Sequence, residues 1–229
     1  MLHSQLCCEF SDKEGIRGWI YTPPRRPISR RQVRRISSAL VVAIIAASAV
    51  LVAPTSSHGY TKLAQGCHFS TYTLTYRVGT STNNVKNALT DGVGRWNSAA
   101  LKPRFVSTSS SAANIVVGDY CFVDLSVMGQ TTGSCSKGGA WTNNRVTITL
   151  SNDYMTKSPF QGITMGATQR RMVVTHELGH ALGLDHMNGT GTSCSVTKSV
   201  MTQGARKWTC GWGNEPWADD IYGVKSIYP

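Results

Sequence analysis

The alternation of apolar and polar positions changes period several times along this chain, and each change predicts an element. From residue 71 to 78, Thr71, Thr73 and Thr75 alternate with Tyr72, Leu74 and Tyr76 ahead of Val78. A period of two is that of a strand with one buried face. Val85, Leu89, Val93 and Trp96 then recur at helical spacing, which predicts an amphipathic helix over residues 84–100. Pro103 bars its continuation, because proline removes a backbone donor and clashes with the preceding turn. Ile115-Val116-Val117 and Val146-Thr147-Ile148-Thr149-Leu150 read as two further strands. Between them, residues 129–144 are rich in Gly, Thr, Ser and Asn and read as a long surface loop. A second long helix is expected over 168–183, with Met172, Val173, Leu178 and Leu182 packing inward and Arg170 and Arg171 at its exposed start. Residues 187–215 show no period and read as irregular, and residues 217–227 read as a last helix. Trp208 and Trp212, in the irregular stretch, could line a side-chain pocket or cover the lower core.

The chain has 229 residues, enough for one domain with a proper core plus an N-terminal segment. Its net charge is +11. Residues 1–57 hold eight basic against three acidic residues, and residues 58–229 hold fifteen against nine. Nearly half of the excess therefore belongs to the N-terminal segment. The remainder favours acidic surfaces or substrates, and no nucleic-acid motif accompanies it. Ala39 to Ala53 is an uncharged apolar run that follows Arg25, Arg26, Arg30, Arg31, Arg34 and Arg35. Basic then apolar is the order of a secretory signal, and the run is short of the ~20 residues of a membrane span. Residues 1–57 are thus expected to be an extension and secretion signal of bacterial style, cleaved between Ser56 and Tyr60. Translation is expected to begin near Val33, which would leave residues 1–32 outside the protein. Residues 58–229 are expected to form one secreted, monomeric domain with no stable membrane span.

The densest chemistry lies in the second long helix, at His176-Glu177-Leu178-Gly179-His180-Ala181-Leu182-Gly183-Leu184-Asp185-His186. This is the pattern H-E-x-x-H-x-x-G-x-x-H. Positions four apart lie on one helix face, so His176 and His180 can point at a single ion. Glu177 stands beside the first ligand, from where it can reach water without ligating the metal. The helix must then end for His186 to return as the third ligand. Gly183 supplies the end, since glycine accepts φ > 0 at a helix C-terminus. Three protein ligands leave one tetrahedral position open, as in a catalytic rather than a structural zinc site.

In these residues the chain resembles the metzincin metallopeptidases, and within them the matrixin-like group. Ser199-Val200-Met201 resembles the family's methionine turn, with Met201 as its methionine. Weaker similarity covers most of residues 72–229: the strand at Leu74 to Val78, the helix around Trp96, the strand at Ala113 to Gly118 and the helix from Pro216 onward. Gln203, two residues past Met201, departs from the Pro or Tyr found there in several metzincins. Strands alternating with helices would also suit an α/β protein. The resemblance implies instead an α+β zincin fold, a twisted, mainly antiparallel and mixed sheet packed on two long helices plus a C-terminal helix, with a cleft between the edge strand and the metal. It also implies a zinc-dependent endopeptidase acting on protein or peptide substrates, with Glu177 as general base and acid. A secreted zinc-binding adhesion or interaction module without turnover is the alternative.

Five cysteines remain after residue 57: Cys67, Cys121, Cys135, Cys194 and Cys210. Export permits disulfides. Short-loop pairings of Cys194 with Cys210 and of Cys121 with Cys135 are expected, leaving Cys67 over. In matrixin precursors a cysteine thiolate can occupy the open metal position. Gln65-Gly66-Cys67-His68 lies in about the right direction for that, and a free or differently paired Cys67 is the other reading. Calcium is a second candidate ion, because Asp119, Asp124 and Asp153 sit near loops; the same residues serve as turn and cap formers.

Overall fold

The computed structural model describes residues 60–124, 126–159, 164–187, 198–203, 210 and 215–229. The apolar run at 39–53, Cys194, Trp208 and Trp212 lie outside them. The strands are β1 (Thr61–Lys62), β2 (Thr73–Val78), β3 (Arg104–Ser107), β4 (Ile115–Tyr120), β5 (Gly129–Thr132), β6 (Val146–Ser151) and β7 (Leu184–Asp185). The helices are α1 (Asn83–Asn97), α2 (Asn152–Thr156), α3 (Ala167–Ala181) and α4 (Ala218–Ile227). Among the described residues, no helix is long and apolar enough to cross a membrane.

Five strands form one sheet in the order β3-β2-β4-β6-β5. β2 pairs in parallel with both β3 and β4, and β4 with β6. Only β5 runs antiparallel, on the edge against β6. The α+β expectation of a mixed sheet on two long helices holds, but parallel pairing dominates where antiparallel pairing was expected. The physical reason is the crossovers: β2 reaches β3 through α1, which leaves the sheet and returns the chain in the same direction.

The strands formed where β-branched residues alternate. Ile115 and Val117 of β4, and Val146, Ile148 and Leu150 of β6, are buried. Each full burial contributes roughly 1.5–3 kcal/mol. On α1, Val85, Leu89, Val93 and Trp96 form the buried stripe that their spacing predicted. α1 packs directly on α3, where Gly92 lets the two helices approach. A Cβ on Gly92 would meet the Thr175 hydroxyl at 3.2 Å. Trp96 secures the contact by donating its Nε1 hydrogen to the Thr175 carbonyl at 2.9 Å.

Residues 129–144 are not simply a loop, because their first four form β5. The sequence Gly-Gln-Thr-Thr has no apolar alternation, since one side of this edge strand meets solvent and a carboxylate rather than a core. α2, β3 and the short β1 and β7 also went unpredicted. β1 pairs antiparallel with β7, setting Lys62 opposite Leu184. The described cysteines correct one of the expected pairings and leave that of Cys194 with Cys210 outside the described residues. Cys67 is bonded to Cys135, 68 residues away, so Cys121 does not pair with Cys135. Cys121 and Cys210 each take part in a disulfide as well. Cys67 therefore has no free thiolate to offer a metal.

Candidate metal centre and cleft

α3 opens with Gly166 donating its backbone N–H to the Gln169 Oε1 at 3.1 Å, which meets one of the orphan donors of a helix start. It closes as predicted. Leu182 caps the helix, Gly183 follows at φ = 100°, and its N–H donates to the His180 carbonyl at 2.9 Å. A side chain at Gly183 would be excluded twice over, because a Cβ there would lie 2.5 Å from the Cys67 carbonyl oxygen. The turn leads into β7 and brings His186 back to the helix.

The Nε2 atoms of His176, His180 and His186 lie 3.1 Å from one another in all three pairs. The Nδ1 of His176 is 2.7 Å from the Val200 carbonyl, and that of His180 is 2.8 Å from the Leu184 carbonyl. A carbonyl can only accept, so both Nδ1 atoms carry the proton and both Nε2 atoms present lone pairs. Two such lone pairs face to face are repulsive unless a cation stands between them. A tetrahedral zinc with Zn–N of ~2.0–2.1 Å would hold two imidazole nitrogens about 3.3–3.4 Å apart, close to the spacing observed. The donor set thus fits zinc. Among the described residues this is the one group of three or more His, Cys, Asp or Glu that could hold a metal. Asp119, Asp124 and Asp153 do not converge. Asp119 accepts from Thr82 and Asn152, Asp124 accepts from the Ser126 N–H, and Asp153 pairs with Lys157 at 3.1 Å.

Met201 lies buried under α3. Its sulfur occupies the space that Gly179 leaves, since a Cβ on Gly179 would come within 2.4 Å of the Met201 Sδ. The turn around it is fixed by Asp220, the third residue of α4, which sequence reasoning passed over. Ser199 Oγ donates to Asp220 Oδ1 at 2.5 Å. The N–H groups of Val200 and Trp217 donate to Oδ2 at 3.0 and 2.8 Å. Burial pushes the Asp220 carboxyl up to about 6, against the pull of these donors. Asp220 thus holds Val200 by its N–H while the Val200 carbonyl orients His176.

Glu177 is buried, 4% exposed, facing β5. Thr131 Oγ1 donates to its Oε2 at 2.7 Å. Gly129 leaves room for the carboxylate, because a Cβ there would sit 2.9 Å from Oε1. Neither residue stood out in the sequence, as both belong to a strand with no hydrophobic signal. The three histidines and Glu177 line a cleft of about 730 Å³. β5, Ser126 and Met128, and Leu63, Ala64 and Gln65 contribute to its walls.

No curated protein matches the chain. A family model, Matrixin, matches residues 68–229, which span the sheet, the histidine triad, Met201 and α4. The chain that carries this helix, turn and cleft belongs to the matrixins, a family of metalloproteases.

Proposed function

We propose that this chain is a secreted, zinc-dependent endopeptidase, with residues 58–229 as its catalytic domain and His176, His180 and His186 as its metal ligands. The observation that carries the reading is the convergence of three imidazole Nε2 atoms beside a buried glutamate. Three imidazoles suit zinc, which when bound supplies Lewis acidity toward water and a peptide carbonyl. The chain's own residues do the remainder. Glu177 takes the proton of the attacking water and delivers it to the leaving amine. The Thr131 hydroxyl aims the Glu177 carboxylate meanwhile. An extended substrate pairs with β5, which among the described residues is the edge strand of the sheet and borders the cleft. The proposed enzyme acts as a monomer. Export is supported by the basic-then-apolar N-terminal order and by the Cys67–Cys135 disulfide, a bond that persists in oxidising compartments.

Casein hydrolysis, with and without a chelator, tests the activity. Glu177→Ala should keep zinc and lose turnover by roughly 10²–10⁴-fold, the usual worth of a general acid–base. His180→Ala should lose the metal as well. Folded, zinc-loaded protein that cuts no peptide in a broad library would leave a zinc-binding module instead.

A further inference from the structure

The three histidines are not held alike. His176 and His180 hand their Nδ1 hydrogens to backbone carbonyls. His186 instead has its Nδ1 2.8 Å from the side-chain amide of Gln203. Gln203 is exposed and lines the cleft. Its amide has two ends of nearly equal shape and opposite role, an accepting Oε1 and a donating Nε2. As placed, Nε2 faces the ring. A neutral His186 would then accept at Nδ1 and carry its proton on Nε2, the atom that stands 3.1 Å from the other two. That tautomer has no lone pair for a metal. Turned end for end, the amide sets Oε1 against Nδ1–H, and the Nε2 lone pair is free. Backbone carbonyls give the first two ligands no such choice.

We propose that Gln203 is the positioning residue of the third metal ligand: its amide oxygen, turned onto the Nδ1–H of His186, selects the ligating tautomer and so sets how tightly the centre holds zinc. The inference rests on the zinc reading above. Gln203 acts through His186 and needs no contact with substrate.

The test is zinc competition against a chromophoric chelator, using the full chain as wild type, Gln203→Met and Gln203→Glu. Removing a partner of a ligating histidine typically weakens metal affinity by ~10–100-fold, and this is the loss expected for Gln203→Met. Gln203→Glu offers only acceptors and should bind zinc at least as tightly as wild type. Nitrogen-15 spectra of zinc-loaded, histidine-labelled wild type and Gln203→Glu should show His186 protonated at Nδ1. Melting of the metal-free proteins should be alike, since the side chain is exposed. Gln203→Met that retains wild-type affinity, or Gln203→Glu that falls with it, would overturn the proposal while wild-type zinc binding kept the parent reading intact. A wild-type chain that takes up no zinc would remove both.

Discussion

The floor and the wall of the cleft are built on different terms. The floor is local: His176, Glu177 and His180 sit within one turn and a half of α3. Its braces are short and buried, with Met201 filling the space at Gly179 and Asp220 holding Val200. The wall is assembled from afar. β5, the 61–67 segment and the stretch before Trp141 meet only in the folded chain, and a covalent bond across 68 residues fastens two of them. Backbone links reinforce it, with the Trp141 N–H donating to the His68 carbonyl at 2.7 Å. Chemistry thus rests on the segment that one helix determines, while the shape offered to substrate rests on long-range contacts.

Removing the fastening should separate the two most strongly. Cys67→Ser with Cys135→Ser should cost about 4 kcal/mol in the chain-entropy model, read from the urea midpoint. Because the proposed ligands and Glu177 lie on the floor, the surviving folded enzyme should show a raised KM and a nearly unchanged kcat. A kcat that fell in step would mean that wall and floor are one unit. Asp220→Ala attacks the floor and leaves Ser199, Val200 and Trp217 donors without their acceptor, a loss of roughly 3 kcal/mol. The same residue makes a pH test. Its carboxyl titrates at about 6 in the fold, above its ordinary value of 3.8. The folded state therefore binds the extra proton between these values, and the stability Asp220 contributes is present below pH 4 and is lost as pH rises through about 6. Urea midpoints of wild type minus Asp220→Asn, followed from pH 4 to 7, should fall over that window. The smallest effect belongs where wall meets floor. Thr131→Val should lower kcat/KM by about tenfold, the worth of one hydrogen bond to a charged group, with zinc affinity unchanged. A loss of zinc there would mean that Thr131 supports the metal rather than Glu177.

The same division governs what could be read from the sequence. The helices announced themselves because Val85, Leu89, Val93 and Trp96 repeat with the helix period and are buried together. The triad and Gly183 were legible because their geometry follows from spacing along one helix and one turn. Met201 was legible through resemblance, and the structure adds the reason, a glycine-sized space above it. β5 was not legible, because a strand that faces a carboxylate and solvent has no apolar alternation to show. Thr131 and Gly129 were missed for a related reason: their partner Glu177 lies 46 and 48 residues away, and nothing local marks them. Asp220 has a local partner in the Trp217 N–H, but its bonds to Ser199 and Val200 span 21 and 20 residues. The short-range pairing of Cys121 with Cys135 failed likewise, and that of Cys194 with Cys210 lies outside the described residues. Loop length favours near partners, but the fold places Cys67 beside Cys135, with Cα atoms 5.7 Å apart.

The pairing of β1 with β7 also bears on how much of the protein's beginning can be trimmed. Leu184, whose carbonyl steers the second histidine, lies opposite Lys62, and the Leu63 N–H donates to the Gly183 carbonyl at 3.0 Å. An aminopeptidase that nibbled past Thr61 would strip a strand from the very residues that aim the ligand. Any trimming from that end would meet a physical stopping point, set by backbone hydrogen bonds a few residues ahead of the first cysteine of the wall.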